Sequence, residues 1–283
     1  LLSDVYEKSR HVDGYVSIEV LPSYAHDAVR TIEYGRAIFK KVGRPNVMVK
    51  VPGTKESPEA IRALIREGVN VNVTLLFSVS QYEHIAEAYW EGLREAIRLG
   101  QDASRIASVA SVFISRIDSK IDHLIDAFAE KESDLNKREA IRAFKGKAAI
   151  ANAKMIYQAY KDFFKPAKFM ELHMSGGRPQ RVLWASTSTK NPAYSDCLYV
   201  DQLIGPMTVN TIPHATVLAF QDHGKHSLTL EVNLYEAHRF LADLENMGIS
   251  LERICDEAQI EGVKAFEQSF ETLMKSLAAK AGA

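Results

Sequence analysis

NVMVKVPGT, residues 46–54, sets a lysine among β-branched neighbours, and its alternation decides how the chain folds. Successive side chains of an extended strand point to opposite faces. Met48 and Lys50 therefore share one face, while Val47, Val49 and Val51 take the other. The flanking stretches repeat the arrangement. In YVSIEV (15–20), Ser17 and Glu19 oppose Val16, Ile18 and Val20; in VNVTLLFS (71–78), Asn72 and Thr74 oppose Val71, Val73 and Leu75. Each stretch offers an apolar stripe for helices to cover and a second face that carries functional groups.

Working outward, six strands are predicted: Tyr15–Val20, Asn46–Val51, Val71–Phe77, Ala107–Ile114, Arg181–Ser186 and Thr208–Ile212. Helical periodicity fills the gaps at about Ala25–Val42, Ser57–Glu67 and Val79–Leu99. Strands alternating with helices at this spacing imply βα units and a parallel sheet. A charged, mostly helical insertion is expected at 119–168, with its run EKESDLNKRE (130–139) a solvated connection. Two amphipathic helices, Leu230–Met247 and Leu251–Ala279, should follow the last strand, with Ser250 placed to cap the second. No linker or repeat divides the chain, so residues 1–283 are expected to form one domain.

Composition narrows the function classes. The 283 residues are 46% hydrophobic, and 35 basic residues face 36 acidic ones for a net charge of −1. That balance advertises neither nucleic acid nor an anionic membrane as a partner. No apolar run reaches a membrane span, no secretory leader opens the chain, and Cys197 and Cys255 match no redox or zinc spacing. A cytoplasmic location is expected. No P-loop, G-x-G-x-x-G or G-x-S-x-G motif is present, which argues against a nucleotide cofactor and a serine hydrolase. His214, His223 and His226 fit no standard ligand spacing, so no metal is expected.

The chemistry then falls to the polar faces. Burying a lysine disfavours its charged form and makes the neutral amine, a carbonyl nucleophile, accessible. The competing reading has Lys50 at a strand end, turned outward and simply paired with Glu19. VASVFISRID (109–118) places Ser111 and Arg116 near the end of the fourth strand, and WASTSTKNP (184–192) is a hydroxyl-rich turn followed by Lys190. Hydroxyls, turn amides and cations together suit a phosphate.

DGYVSIEV, NVMVKVPGT, GVNVNVTLLFS, RVLWASTSTKNP and VDQLIGPMTVNTIPHAT resemble segments of transaldolases in the same order, from about residue 12 to the end of the chain. WASTSTKNP resembles the longer bacterial type. The resemblance implies an α/β fold, a TIM (β/α)8 barrel of whose eight strands six are readable here. It implies Lys50 as the Schiff-base lysine, Glu19 and Thr74 as the pair that positions a catalytic water, and Asn72 and Ser111 as groups lining the sugar site. Arg116, Ser186 and Lys190 are implied as phosphate ligands. The partners implied are sugar phosphates, with no cofactor; a homo-oligomer is allowed.

The reaction implied is transfer of a dihydroxyacetone unit from a ketose phosphate, sedoheptulose 7-phosphate or fructose 6-phosphate, to glyceraldehyde 3-phosphate or erythrose 4-phosphate. The pathway implied is the non-oxidative pentose phosphate pathway. Two alternatives stay open at the level of sequence: a class I aldolase that releases free dihydroxyacetone, and a noncatalytic sugar-phosphate binding barrel. The family's first two strands and their acid/base aspartate have no match here, Asp4 and Asp13 being poorly placed. An N-terminal segment of roughly 70 to 90 residues is expected upstream, the length of two βα units and a leading helix.

Overall fold

The computed structural model describes residues 1–281. A short helix α1 (Ser3–Lys8) leads into a βα alternation: β1 (Val16–Glu19), α2 (Ala28–Val42), β2 (Val47–Pro52), α3 (Ser57–Arg66), β3 (Val71–Leu76), α4 (Val79–Arg98) and β4 (Ser108–Phe113). Four helices follow, α5 (Ser115–Lys131), α6 (Leu135–Arg142), α7 (Ala148–Phe163) and α8 (Pro166–Met174), before β5 (Arg181–Ala185). Then come α9 (Leu198–Gln202), β6 (Thr208–Asn210), α10 (His214–His223), α11 (Leu234–Asn246) and α12 (Leu251–Ala281).

All six predicted strands are present, in one sheet of sequential order β1 to β6. Every neighbouring pair is parallel, with Glu19 level with Lys50 and Lys50 level with Asn72. Short polar side chains cap the start of some helices: Asp27 accepts the Arg30 amide before α2, and Ser78 accepts the Gln81 amide before α4. The 119–168 stretch divides in character. The exposed α6 buries no residue, as a solvated connection should, whereas α7 is packed into the core along most of its length.

Helices α9 and α10 are additions to the expected pattern, and α11 begins at Leu234 rather than Leu230. Leu230 is instead fully buried in a turn, its amide bonded to the Ile204 carbonyl, and burial there outweighs extension of the helix. Glu245 Oε1 accepts the Leu251 amide at 2.9 Å at the start of α12.

The sheet separates two apolar clusters. Helices cover the convex face, where Val49, Val51, Leu64, Val71, Val73 and Tyr89 belong to the larger cluster. The smaller cluster, Met48, Ala107, Val109, Leu183 and Ala185, lies on the concave face beside the polar groups. Residues of the first and last strands line one cleft on that face, which requires the sheet to curl, as a TIM-type barrel does. Pairing does not close the ring, since β6 is not hydrogen-bonded to β1. Side chains span the gap at the strand N-terminal end: Arg181 donates to the Val12 carbonyl at 2.6 Å, and Arg178 reaches the carbonyls of Arg10 and His11. Among the described residues, no helix is long and apolar enough to cross a membrane.

Candidate active site

Lys50 Nζ donates to Glu19 Oε1 across the β1–β2 pair at 2.5 Å. The pairing expected by the simpler reading is present, but the lysine lines the concave cleft instead of turning outward. Its side chain keeps 22% of its accessible surface and that of Glu19 keeps 39%, so the ammonium is sheltered rather than dry. The Phe266 ring of α12 lies over it, with its centroid 5.4 Å from Nζ.

Three of the expected groups meet at one point. Glu19, Lys50 and Thr74 line a cavity of about 10 Å³ under Phe266, close to the room one water needs. The Thr74 hydroxyl is buried and has no hydrogen-bond partner among the described residues, which leaves it free to bind a water or a substrate oxygen. A β-bulge sets this end of β3. Register shifts between Val73 and Leu76, Leu75 takes φ +61°, and the Leu75 carbonyl turns to accept Gln259 Nε2 of α12 at 3.0 Å. Gly53 after β2 allows the close approach, because a Cβ there would come within 2.4 Å of Leu76 Cδ2.

Asn72 and Ser111 join a hydrogen-bond chain over the floor of the cleft. Asn72 Nδ2 donates to Ser17 Oγ at 2.9 Å, and its Oδ1 accepts the Ser111 hydroxyl at 2.7 Å. Lys50 and Asn72 share the concave cleft, of about 350 Å³, with Ser17 and Met48. Arg116 stands at the mouth, its guanidinium 5.4 Å over the Phe113 ring, and lines a groove of about 530 Å³ with Glu19 and Phe266. Ser186, at φ +57°, has Oγ 2.8 Å from Ser115 Oγ, one residue from Arg116.

Lys190 departs from this convergence. It is exposed, donates to Ser188 Oγ at 2.9 Å, and lines a separate cleft with Asp196 and His223. Asp13 lies at the opposite end of β1, ion-paired with Arg181 at 3.2 Å.

One group of potential metal ligands exists among the described residues: Asp196, Cys197 and His223, with ligand atoms within 4.8 Å of one another. They satisfy each other without an ion. Asp196 accepts from His223 Nε2 at 2.8 Å, which holds the carboxyl low and the imidazole high, while burial pushes the Cys197 thiol up to about 11.

Phe266 and Ser115 were not foreseen from the sequence. Phe266 reads as an ordinary apolar position of an amphipathic helix, and Ser115 as a helix-starting serine; neither carries a local signal of its neighbours.

The family described as transaldolase/fructose-6-phosphate aldolase matches residues 1–277. A protein named Transaldolase 2 from Nostoc sp. is 47% identical over 283 residues, covering 99% of this chain and 74% of that relative. Another Transaldolase 2, from Nostoc punctiforme, is 48% identical over 280 residues, covering 98% and 74%. A protein named Transaldolase from Trichodesmium erythraeum is 45% identical over 278 residues, covering 98% and 73%.

Proposed function

The chain belongs to the transaldolase/fructose-6-phosphate aldolase family, and on that premise we propose that Lys50 is the amine through which it transfers a dihydroxyacetone unit between sugar phosphates. The donor is a ketose phosphate, the acceptor an aldose phosphate, and the setting the non-oxidative pentose phosphate pathway in the cytoplasm. The observation that carries the assignment to these residues is the Glu19–Lys50 pair, closed over by Phe266 beside the free hydroxyl of Thr74.

Glu19 takes a proton from Lys50, and the freed amine adds to the ketone carbon. Loss of the carbinolamine hydroxyl as water then leaves an iminium. Glu19 and Thr74 hold the water that carries protons in this dehydration. The iminium accepts the electron pair of the bond between the third and fourth sugar carbons as the fourth-carbon hydroxyl gives its proton, through the held water, to the Glu19 carboxylate. An aldehyde phosphate departs and an enamine stays on Lys50. Attack of the enamine on a second aldehyde reverses these steps, and hydrolysis frees the lysine. Asn72 and Ser111 bind sugar hydroxyls; Arg116 and Ser186 bind the distant phosphate, whose binding energy orients the scissile bond.

Two experiments test this. Borohydride reduction with fructose 6-phosphate should attach a three-carbon or six-carbon adduct to the peptide containing Lys50, and Lys50→Met should remove both adduct and turnover. An adduct retained in Lys50→Met rejects the assignment. Isotope exchange between two aldose phosphates should exceed the release of free dihydroxyacetone; stoichiometric release would favour a simple aldolase.

A further inference from the structure

Arg116 and Ser186 lie on different segments of the chain, and what fixes their separation sits behind the site. Asp118 and Asp122 are one turn apart on α5, on the same face, and both are buried. Asp118 Oδ1 accepts the Ala149 amide at 2.8 Å and Oδ2 accepts the Tyr199 hydroxyl at 2.9 Å. Asp122 repeats the pattern: Oδ1 accepts the Gly146 amide at 2.9 Å and Oδ2 the Tyr194 hydroxyl at 2.5 Å.

Each carboxylate therefore joins the same two segments, the start of α7 and the stretch that runs on from Ser186. Tyr194 also packs on Gly146, whose φ of +72° and lack of a Cβ are both required, since a Cβ would lie 2.8 Å from the ring. At the near end, the Ser115 amide donates to the Ser186 carbonyl at 3.1 Å. Residues 186–199 are thus fastened to α5 at both ends, with exposed Lys190 on the part between.

Two buried carboxylates are costly, and replacing such groups with apolar ones often leaves a protein no less stable. What they supply is direction: each oxygen fixes one donor, and the two together fix an angle. Burial pushes the Asp118 carboxyl up to about 6 despite those bonds, so the fold carries this cost at neutral pH.

We propose that Asp118, Asp122, Tyr194 and Tyr199 are positioning residues that hold Arg116 and Ser186 at the separation a sugar phosphate requires. They govern affinity for the phosphate end of the substrate and leave the imine chemistry at Lys50 untouched. The proposal rests on the reading of Arg116 and Ser186 as phosphate ligands.

The test uses the whole chain with two donors, fructose 6-phosphate and unphosphorylated fructose, and erythrose as the common acceptor, so that transfer from either donor yields sedoheptulose. The double variant Tyr194→Phe/Tyr199→Phe keeps both rings and removes only the hydroxyls. Its KM for fructose 6-phosphate should rise about tenfold, the scale of one weakened charged hydrogen bond. With fructose, its kcat, its KM and its borohydride trapping should stay within about twofold of the parent. Equal changes for both donors, or an unchanged KM for fructose 6-phosphate in a folded variant, overturn the proposal. If the double variant does not fold, either single variant should show the same selectivity between donors at a smaller amplitude, and equal effects on both donors overturn it likewise. Arg116→Met separates the two ways of failing. If it too leaves the donors undistinguished, the phosphate assignment is what fails, and the clamp falls with it; if Arg116→Met discriminates and the tyrosine variants do not, the clamp alone is rejected.

Discussion

At the scale of single residues, the site combines groups that the sequence places on one strand face with groups that it scatters. Arg116 and Lys190 are the instructive contrast, since both were expected on a phosphate and only Arg116 lines the groove shared with Glu19. Arg116→Met should raise the KM for a phosphorylated donor by about ten- to a hundredfold, the loss of a charged contact, while Lys190→Met should change it less than about threefold. Steady-state kinetics on the two variants checks the order; the reverse order would return Lys190 to the site. Asp118 carries a second prediction. Its carboxyl is raised from an ordinary 3.8 to about 6, chiefly by burial, with Asp122 adding to the rise and the Ala149 amide and Tyr199 hydroxyl opposing it. The folded chain therefore holds a proton that the unfolded chain releases between those values. The stability this contributes is complete below the unfolded value and is lost as pH rises through about 6. Asp118→Asn lacks the dependence, so from pH 4.5 to 7 its stability relative to the parent should improve by roughly 2 kcal/mol. Urea unfolding of both proteins at the two pH values measures this, and a gap moving the other way would contradict it.

At the scale of elements, strand ends and one long helix make the site. The alternation that exposes Asn72 and Thr74 would run on through Leu75, but the bulge at Val73/Leu76 breaks it and frees the Leu75 carbonyl. Gln259 of α12 takes that carbonyl and the Gly53 carbonyl with one amide nitrogen, at 3.0 and 2.8 Å, so the ends of β2 and β3 hold the helix that carries Phe266. Gln259→Ala should cost about 1–3 kcal/mol, because two buried acceptors lose their partner. Hydrogen exchange should quicken in 251–266 and stay unchanged in β2 and β3. Uniform loss of protection would mean that the contact is general packing rather than an anchor for α12.

At the scale of the whole molecule, the sheet divides stability from chemistry. The larger apolar cluster lies under the helices of the convex face, the candidate catalytic groups lie on the concave face, and the strands that separate them are buried on both sides. Leu64, fully buried in the convex cluster, belongs to the first set. Leu64→Ala should lower stability by about 2–5 kcal/mol through lost burial and a cavity, with kcat per folded molecule within about twofold of the parent. Urea titration and active-site counting by borohydride trapping measure the two quantities separately. A large fall in kcat of the folded fraction would show that the faces are coupled. The ring of strands is joined at its lower end by Arg178 and Arg181 reaching main-chain carbonyls, a closure made by side chains.

The sequence by itself determined the six parallel strands, the helices between them, and the faces on which Glu19, Lys50, Asn72 and Thr74 stand. Those properties follow from a two-residue period and local capping, which neighbouring residues fix among themselves. It also held the long-range motifs through which the family resemblance was legible. Only the tertiary structure decided that Phe266 lies over Lys50, that Lys190 turns to another cleft, and that Asp118 and Asp122 grip two tyrosines more than seventy positions away. Each of these depends on where the curl of the sheet and the packing of helices bring distant segments into contact. A single chain's local pattern carries no record of that distance.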